Sequence, residues 1–180
     1  LSYEEITRIT RVLTGMGIGK VRLTGGEPLL RRDLDRLIGL LAEIPGLELA
    51  LTTNGSALAG RARELKQAGL KRITVSLDAM DETVFRRMND ADYPVARVLA
   101  GIDAAADAGL GPVKVNAVIK RGVNDGEVLA LARHFRGSGH VLRFIEYMDV
   151  GNSNDWRHRD LVPAEEIVDT VHRAYPLEFL

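Results

Sequence analysis

The segment "VRLTGGEPLL", residues 21–30, holds the first residues whose types and spacing could do chemistry. A short alternating stretch, Val21 to Thr24, runs directly into Gly25, Gly26, Glu27 and Pro28. Adjacent glycines cost backbone entropy and a proline removes a donor, so this strand end suits a partner that approaches the backbone closely. Four more strand ends carry polar residues: Thr52 to Gly55, Ser76 to Asp78, Asn116, and Glu146 to Gly151. Singly, each has a plain structural use, Gly-Gly and Asn-Gly as tight turns and Asp78 as the cap of the helix that follows it. Together they describe a rim at the carboxyl ends of successive strands, which is where barrel enzymes keep their active sites.

Alternating helices and strands must position that rim. Ser2 and Glu5 form a capping-box pattern, and Ile6, Ile9, Val12, Leu13 and Met16 follow at helical spacing. Further helices are expected at 31–43, 57–68, 81–88, 94–108, 125–136 and 163–173. Strands are expected at 20–24, 47–52, 71–77, 112–118 and 140–147. Gly69 and Gly109 each close a helix ending in Ala-Gly. The strand–helix unit repeats at the spacing of parallel βαβ crossovers.

In parallel sheets covered on both faces strands are usually apolar throughout, whereas these alternate. Lys20, Arg22 and Thr24 alternate with Val21 and Leu23; Thr74, Ser76 and Asp78 with Ile73, Val75 and Leu77; Lys114 and Asn116 with Val113, Val115 and Ala117. If the apolar faces take the helices, the polar faces share an interior. The expected fold is therefore α/β, an incomplete parallel (β/α) barrel of TIM-barrel type whose interior holds a polar, anionic ligand. The last strand, "VLRFIEY", does not alternate cleanly.

Composition bounds the partners. The chain has 180 residues, 46% of them hydrophobic and 27% charged, which suits a single domain. Lys and Arg number 24 against 25 Asp and Glu, a net charge of −1, so no global field recruits nucleic acid or anionic lipid. No apolar run is long enough for a membrane span, and a cytoplasmic location is the default expectation. The 180 residues include no cysteine, so they offer no thiolate to a metal or cluster.

The segments "GGEP", "LTTNG", "ITVSLDA" and "KVN", in this order, resemble the core of the radical S-adenosylmethionine (SAM) enzymes. "VRLTGGEPLLRRDL", "VSLDAMDETVFRRMN", "VKVNAVIKRGVND" and "LRFIEYMDVG" are similar, within them, to the family of GTP 3',8-cyclases of molybdenum cofactor biosynthesis. The resemblance implies a SAM site at Gly25, Gly26, Glu27, Ser76, Asn116 and Met148. It places the SAM amino group near Glu27, its carboxylate or ribose near Ser76, and its adenine against the Met148 backbone. It implies GTP contacts at Lys20, Arg22, Thr52, Lys114 and Arg143, and leaves the catalytic residues unassigned. By the same resemblance one [4Fe–4S] cluster reduces SAM to methionine and a 5'-deoxyadenosyl radical that takes the 3' hydrogen of GTP, after which C3' bonds to C8, and a second [4Fe–4S] cluster lies further C-terminal. An electron donor, a downstream cyclic pyranopterin synthase and a homodimer go with that family. The cluster cysteines are expected outside these residues, so the segment reads as the middle of a longer polypeptide. Another radical SAM activity, such as peptide modification, and a SAM- or nucleotide-binding module without catalysis are the alternatives.

Overall fold

The computed structural model describes residues 1–89, 92–148 and 160–178. Asp149, Val150 and Gly151, at the fifth expected strand end, and the rest of the polar stretch 149–159 lie outside the described residues. Five strands, β1 (Lys20–Leu23), β2 (Glu48–Thr53), β3 (Arg72–Ser76), β4 (Lys114–Ile119) and β5 (Val141–Glu146), form one open parallel sheet in sequential order. The helices are α1 (Tyr3–Gly15), α2 (Leu34–Ala42), α3 (Ala62–Ala68), α4 (Glu82–Asn89), α5 (Val95–Ala105), α6 (Val128–Phe135) and α7 (Ala164–Ala174). The chain divides into two compact units, Leu1–Val75 with Ala96–Val113, and Ser76–Val95 with Lys114–Leu180.

The first unit packs Ile38, Leu41, Leu51, Leu58, Leu65 and Val98 completely out of water. Each such side chain contributes about 1.5–3 kcal/mol by burial. The expected capping box forms at α1: Ser2 Oγ accepts from the Glu5 amide at 3.1 Å, and Glu5 Oε2 accepts from the Ser2 amide at 2.7 Å. The apolar stripe of α1 does not mark its buried side. Ile9, Val12, Leu13 and Met16 are exposed, while Thr7 and Thr10 are buried. Burial of those hydroxyls is tolerated because they donate to Tyr3 O and Ile6 O, one helical turn back, at 2.7 and 2.8 Å.

Two expected helices start late. Before α2 the chain makes a 3₁₀ turn at Pro28–Leu30, and Asp33 takes a left-handed φ of 54°. Before α3, the Leu58 amide donates to Gly55 O and the Arg61 amide to Leu58 O, three-residue closures that keep residues 57–61 out of the α-helix. Gly69 caps α3 with φ 114°, as its position after Ala68 predicts. The helix expected to run to residue 108 ends at Ala105 and continues as a π turn, Ala106–Leu110, in which Gly109 adopts φ 78°.

In the second unit β4 follows the expected alternation, with Val115, Ala117 and Ile119 buried and Lys114, Asn116 and Val118 half-buried. Its register with β5 sets Lys114 opposite Val141 and Asn116 opposite Arg143. β5 alternates through Phe144 and then breaks at Ile145, which accounts for the irregular pattern of its sequence. Phe85 and Leu131 complete this core. Asp78 does not cap α4. Asp81 does, its Oδ1 accepting from the Thr83 and Val84 amides at 2.9 Å each.

Candidate functional site

In the first unit the strand-end glycines separate into two kinds. A Cβ on Gly55, where φ is 77°, would stand 2.9 Å from Val75 Cγ1 and 3.0 Å from Val98 Cγ1, so internal packing requires that glycine. A Cβ on Gly25 or Gly26 would meet no heavy atom of the described residues within 4 Å. Packing among the described residues does not require the pair; a φ of 152° favours glycine at Gly25, and at Gly26 neither packing nor φ does, so its backbone is open.

Glu27 follows them and is half-buried. Its Oε1 accepts from Thr53 Oγ1 at 2.7 Å and the Leu29 amide at 2.9 Å, and its Oε2 accepts from the Asn54 amide at 2.7 Å. The carboxylate thus latches the turn after β1 onto the end of β2. A carboxylate has about four acceptor sites, so one remains for an outside donor such as an ammonium group. Asn54 is occupied within its own turn, its Oδ1 accepting from the Ser56 amide and hydroxyl at 3.0 and 2.8 Å.

The polar face of β1 and β2 carries two cations in different states. Lys20, at the start of β1, pairs with Glu48 at 2.8 Å, and Glu48 also pairs with Arg72 at 3.0 Å. Arg22 makes no ion pair among the described residues; its Nη1 donates to Thr52 Oγ1 at 2.8 Å and Thr74 Oγ1 at 3.0 Å. Sequence reasoning passed over Thr74 as a site residue. Strand alternation put it on the polar face, but only the register, which pairs it with Thr52, brings it to Arg22.

In the second unit Asn116 sits on β4 with Lys114 on the same face and Arg143 directly across on β5. Lys114 and Arg143 make no ion pair among the described residues. Asn116 Oδ1 is buried with no hydrogen-bond partner among the described residues. Buried polar atoms are nearly always satisfied, so an orphan on this face fits a ligand that donates to it. Ser76 ends β3 half-buried, and the adjacent Leu77 amide donates to Asn116 O at 2.9 Å. Met148, largely exposed, lines an open cleft of about 410 Å³ with Ile145, Glu146, Tyr147 and Leu161.

Two polar side chains brace this rim. Asn124 is 1% exposed; its Nδ2 donates to Asp78 O and Val118 O at 2.8 Å each, and its Oδ1 accepts from the Lys120 amide at 2.7 Å. Asp78 Oδ1 accepts from the Val118 amide at 2.8 Å. Burial pushes the Asp78 carboxyl above its ordinary range, against the lowering effect of the Val118 and Asn89 hydrogen bonds. With the folded value raised, the unfolded chain gives up this proton first as pH rises, so ionising Asp78 costs stability above the ordinary carboxyl range. Asp78→Asn removes that cost and keeps an acceptor for Val118. Urea unfolding at about pH 4 and about pH 7.5 is expected to show the variant gaining stability relative to the parent at the higher pH. An equal difference at both would refute the assignment.

An open parallel sheet of alternating strands and helices, with open glycine backbones after β1 in the first unit and an orphaned amide oxygen on β4 in the second, defines the class: an incomplete (β/α) barrel. A family model described as the radical SAM superfamily matches residues 1–135, and the chain belongs to that superfamily. A GTP 3',8-cyclase of Acidothermus cellulolyticus is 57% identical over 179 residues, covering 99% of this chain and 49% of the relative. One from Staphylococcus saprophyticus is 42% identical, covering 99% and 52%. The chain thus spans about half the length of the curated relatives it matches. A radical SAM methyltransferase from Sphaerobacter thermophilus superposes with a TM-score of 0.72 at 21% identity, covering 97% of this chain and 55% of that one. Methylornithine synthase gives 0.71 at 20% identity, covering 98% and 53%. These likenesses show the fold, an incomplete barrel of the radical SAM type. Among the described residues no helix is long and apolar enough to cross a membrane.

Proposed function

We propose that this chain is the central part of a GTP 3',8-cyclase, a SAM-dependent lyase that joins C3' of the GTP ribose to C8 of the guanine in molybdenum cofactor biosynthesis. The observation that carries the proposal is identity of 42–57% with curated cyclases along 99% of the chain. The residues present fit SAM. In the first unit Gly25 and Gly26 offer open backbone to its methionyl end and Glu27 retains one acceptor for its ammonium; in the second, Ser76, Asn116 and Met148 are the other positions implied by the motifs, and Asn116 Oδ1 is without a partner among the described residues. Bound SAM supplies hydrogen-atom abstraction to the family's reactions. The chain's own contribution is to hold and orient.

GTP is assigned to the cations. Arg22, Lys114 and Arg143 carry no counter-ion among the described residues, and a triphosphate supplies one. Thr52 adds a hydroxyl beside Arg22. Lys20 differs, since a phosphate there must displace Glu48. The test is the full-length protein with SAM, a reductant and GTP under anaerobic conditions. Release of a 3',8-cyclised dihydro-GTP is expected; methionine formation without a change in GTP would refute the cyclase assignment.

The iron–sulfur cluster does not fit this segment. The 180 residues contain no cysteine, and no group of three His, Cys, Asp or Glu able to hold a metal exists among the described residues. Anaerobic reconstitution of the 180-residue chain should therefore give no stoichiometric iron and sulfide. One cluster per chain would overturn this.

A further inference from the structure

We propose that Thr74 is a positioning residue that fixes the Arg22 guanidinium for an oxyanion, an inference that rests on Arg22 contacting the GTP triphosphate. Arg22 pairs in register with Ala50, while Thr52 and Thr74 pair with each other one step nearer the carboxyl ends. Ala50 is small, so the arginine stem can cross the middle strand and bring its head group to both threonines. A guanidinium has five N–H donors, two of them on Nη1. Thr52 Oγ1 and Thr74 Oγ1 accept those two, at 2.8 and 3.0 Å.

Rotation about the terminal bonds is thereby restrained, and the edge made by Nε and Nη2 is left for a ligand. That edge presents two parallel N–H groups, the arrangement that grips a phosphate through two oxygens at once. Thr74 is 4% exposed and sits on β3, so it serves as a fixed acceptor beneath an exposed arginine. Neither threonine neutralises the charge. Lys20 and Arg72 show the contrast, since Glu48 satisfies both by charge. Two neutral acceptors orient Arg22 while its full positive charge stays available, which favours recognition of an anion over an internal structural pair.

Thr74→Val keeps the shape and the strand preference while deleting the acceptor, and Thr74→Ser restores it. In the full-length protein, Thr74→Val is expected to weaken GTP binding by about fivefold to tenfold, with guanosine binding unchanged. Thr74→Ser should recover most of that loss. In an Arg22→Ala background the same substitution should add nothing, because its effect passes through the arginine. In the ligand-free protein, side-chain NMR of Arg22 should show hindered guanidinium rotation that Thr74→Val releases. Unchanged Arg22 signals in Thr74→Val, or a full additional loss of GTP affinity in the Arg22→Ala background, would overturn the positioning role. If Arg22→Ala leaves GTP binding intact while Thr74→Val still releases the guanidinium, positioning stands and the assignment of GTP to Arg22 falls.

Discussion

Gly26→Val in the full-length protein is expected to abolish SAM binding while the fold survives. The side chain has room, since a Cβ at Gly26 meets no heavy atom of the described residues within 4 Å, and only Gly25 of the pair has a positive φ, at 152°. Gly26 is exposed in the bend after β1 and its φ is not positive, so a side chain there is not strained by the backbone and stability should change by less than about 1 kcal/mol. Three valine carbons would nevertheless fill the space assigned to the methionyl end of SAM and stiffen the turn that must meet it. Affinity should fall by more than about a hundredfold, or ~2.7 kcal/mol. Gly55→Val is the contrasting variant. Its Cβ would stand 2.9 Å from Val75 Cγ1 with φ at 77°, so it should lose the fold along with the ligand. Calorimetry that finds SAM affinity unchanged in Gly26→Val would overturn the assignment of this turn.

Lys114→Ala should weaken GTP strongly, guanosine slightly and SAM hardly at all. Lys114 is half-buried on the polar face of β4, and Arg143 lies on the same face one register step away, beyond Val141. Two like charges on adjacent strands repel unless an anion lies between or above them. Deleting one charge-assisted contact to a phosphate costs about 1.5–3 kcal/mol, roughly tenfold to more than a hundredfold in affinity. Arg97, exposed on α5, supplies the comparison, and Arg97→Ala should leave all three ligands unaffected. Equal losses for GTP and guanosine would refute the phosphate role of Lys114. Equal effects of Arg97→Ala and Lys114→Ala would refute a ligand-facing β4.

The order of elements and the caps at Ser2 and Gly69 were legible in the sequence because they are local. Helical spacing, the Ser2–Glu5 box, the glycine after α3 and alternation along β4 each depend on residues a few positions apart. The motifs at Gly25 to Pro28 and Lys114 to Asn116 carried the family resemblance for the same reason, as short uninterrupted runs. Periodicity could not tell which side of α1 is buried. A threonine whose hydroxyl is satisfied by its own helix can be buried without the cost of an orphaned polar group, and the packing partner decides between the two faces.

The tertiary structure decided the chemical state of the site residues. Gly25, Gly26 and Gly55 look alike as sequence, yet one is held by Val75 and Val98 and two are open. Glu27 is occupied by Thr53 and Asn54, about 26 residues further on. Lys20 and Arg22 are two residues apart on one strand face; strand register gives the first a carboxylate and the second two hydroxyls. Hydrogen bonds and ion pairs are satisfied across strands, between residues that the chain brings together only by pairing. Sequence by itself therefore determined which polar and charged residues share a strand face or a strand end, and register determined which of them are already satisfied within the chain.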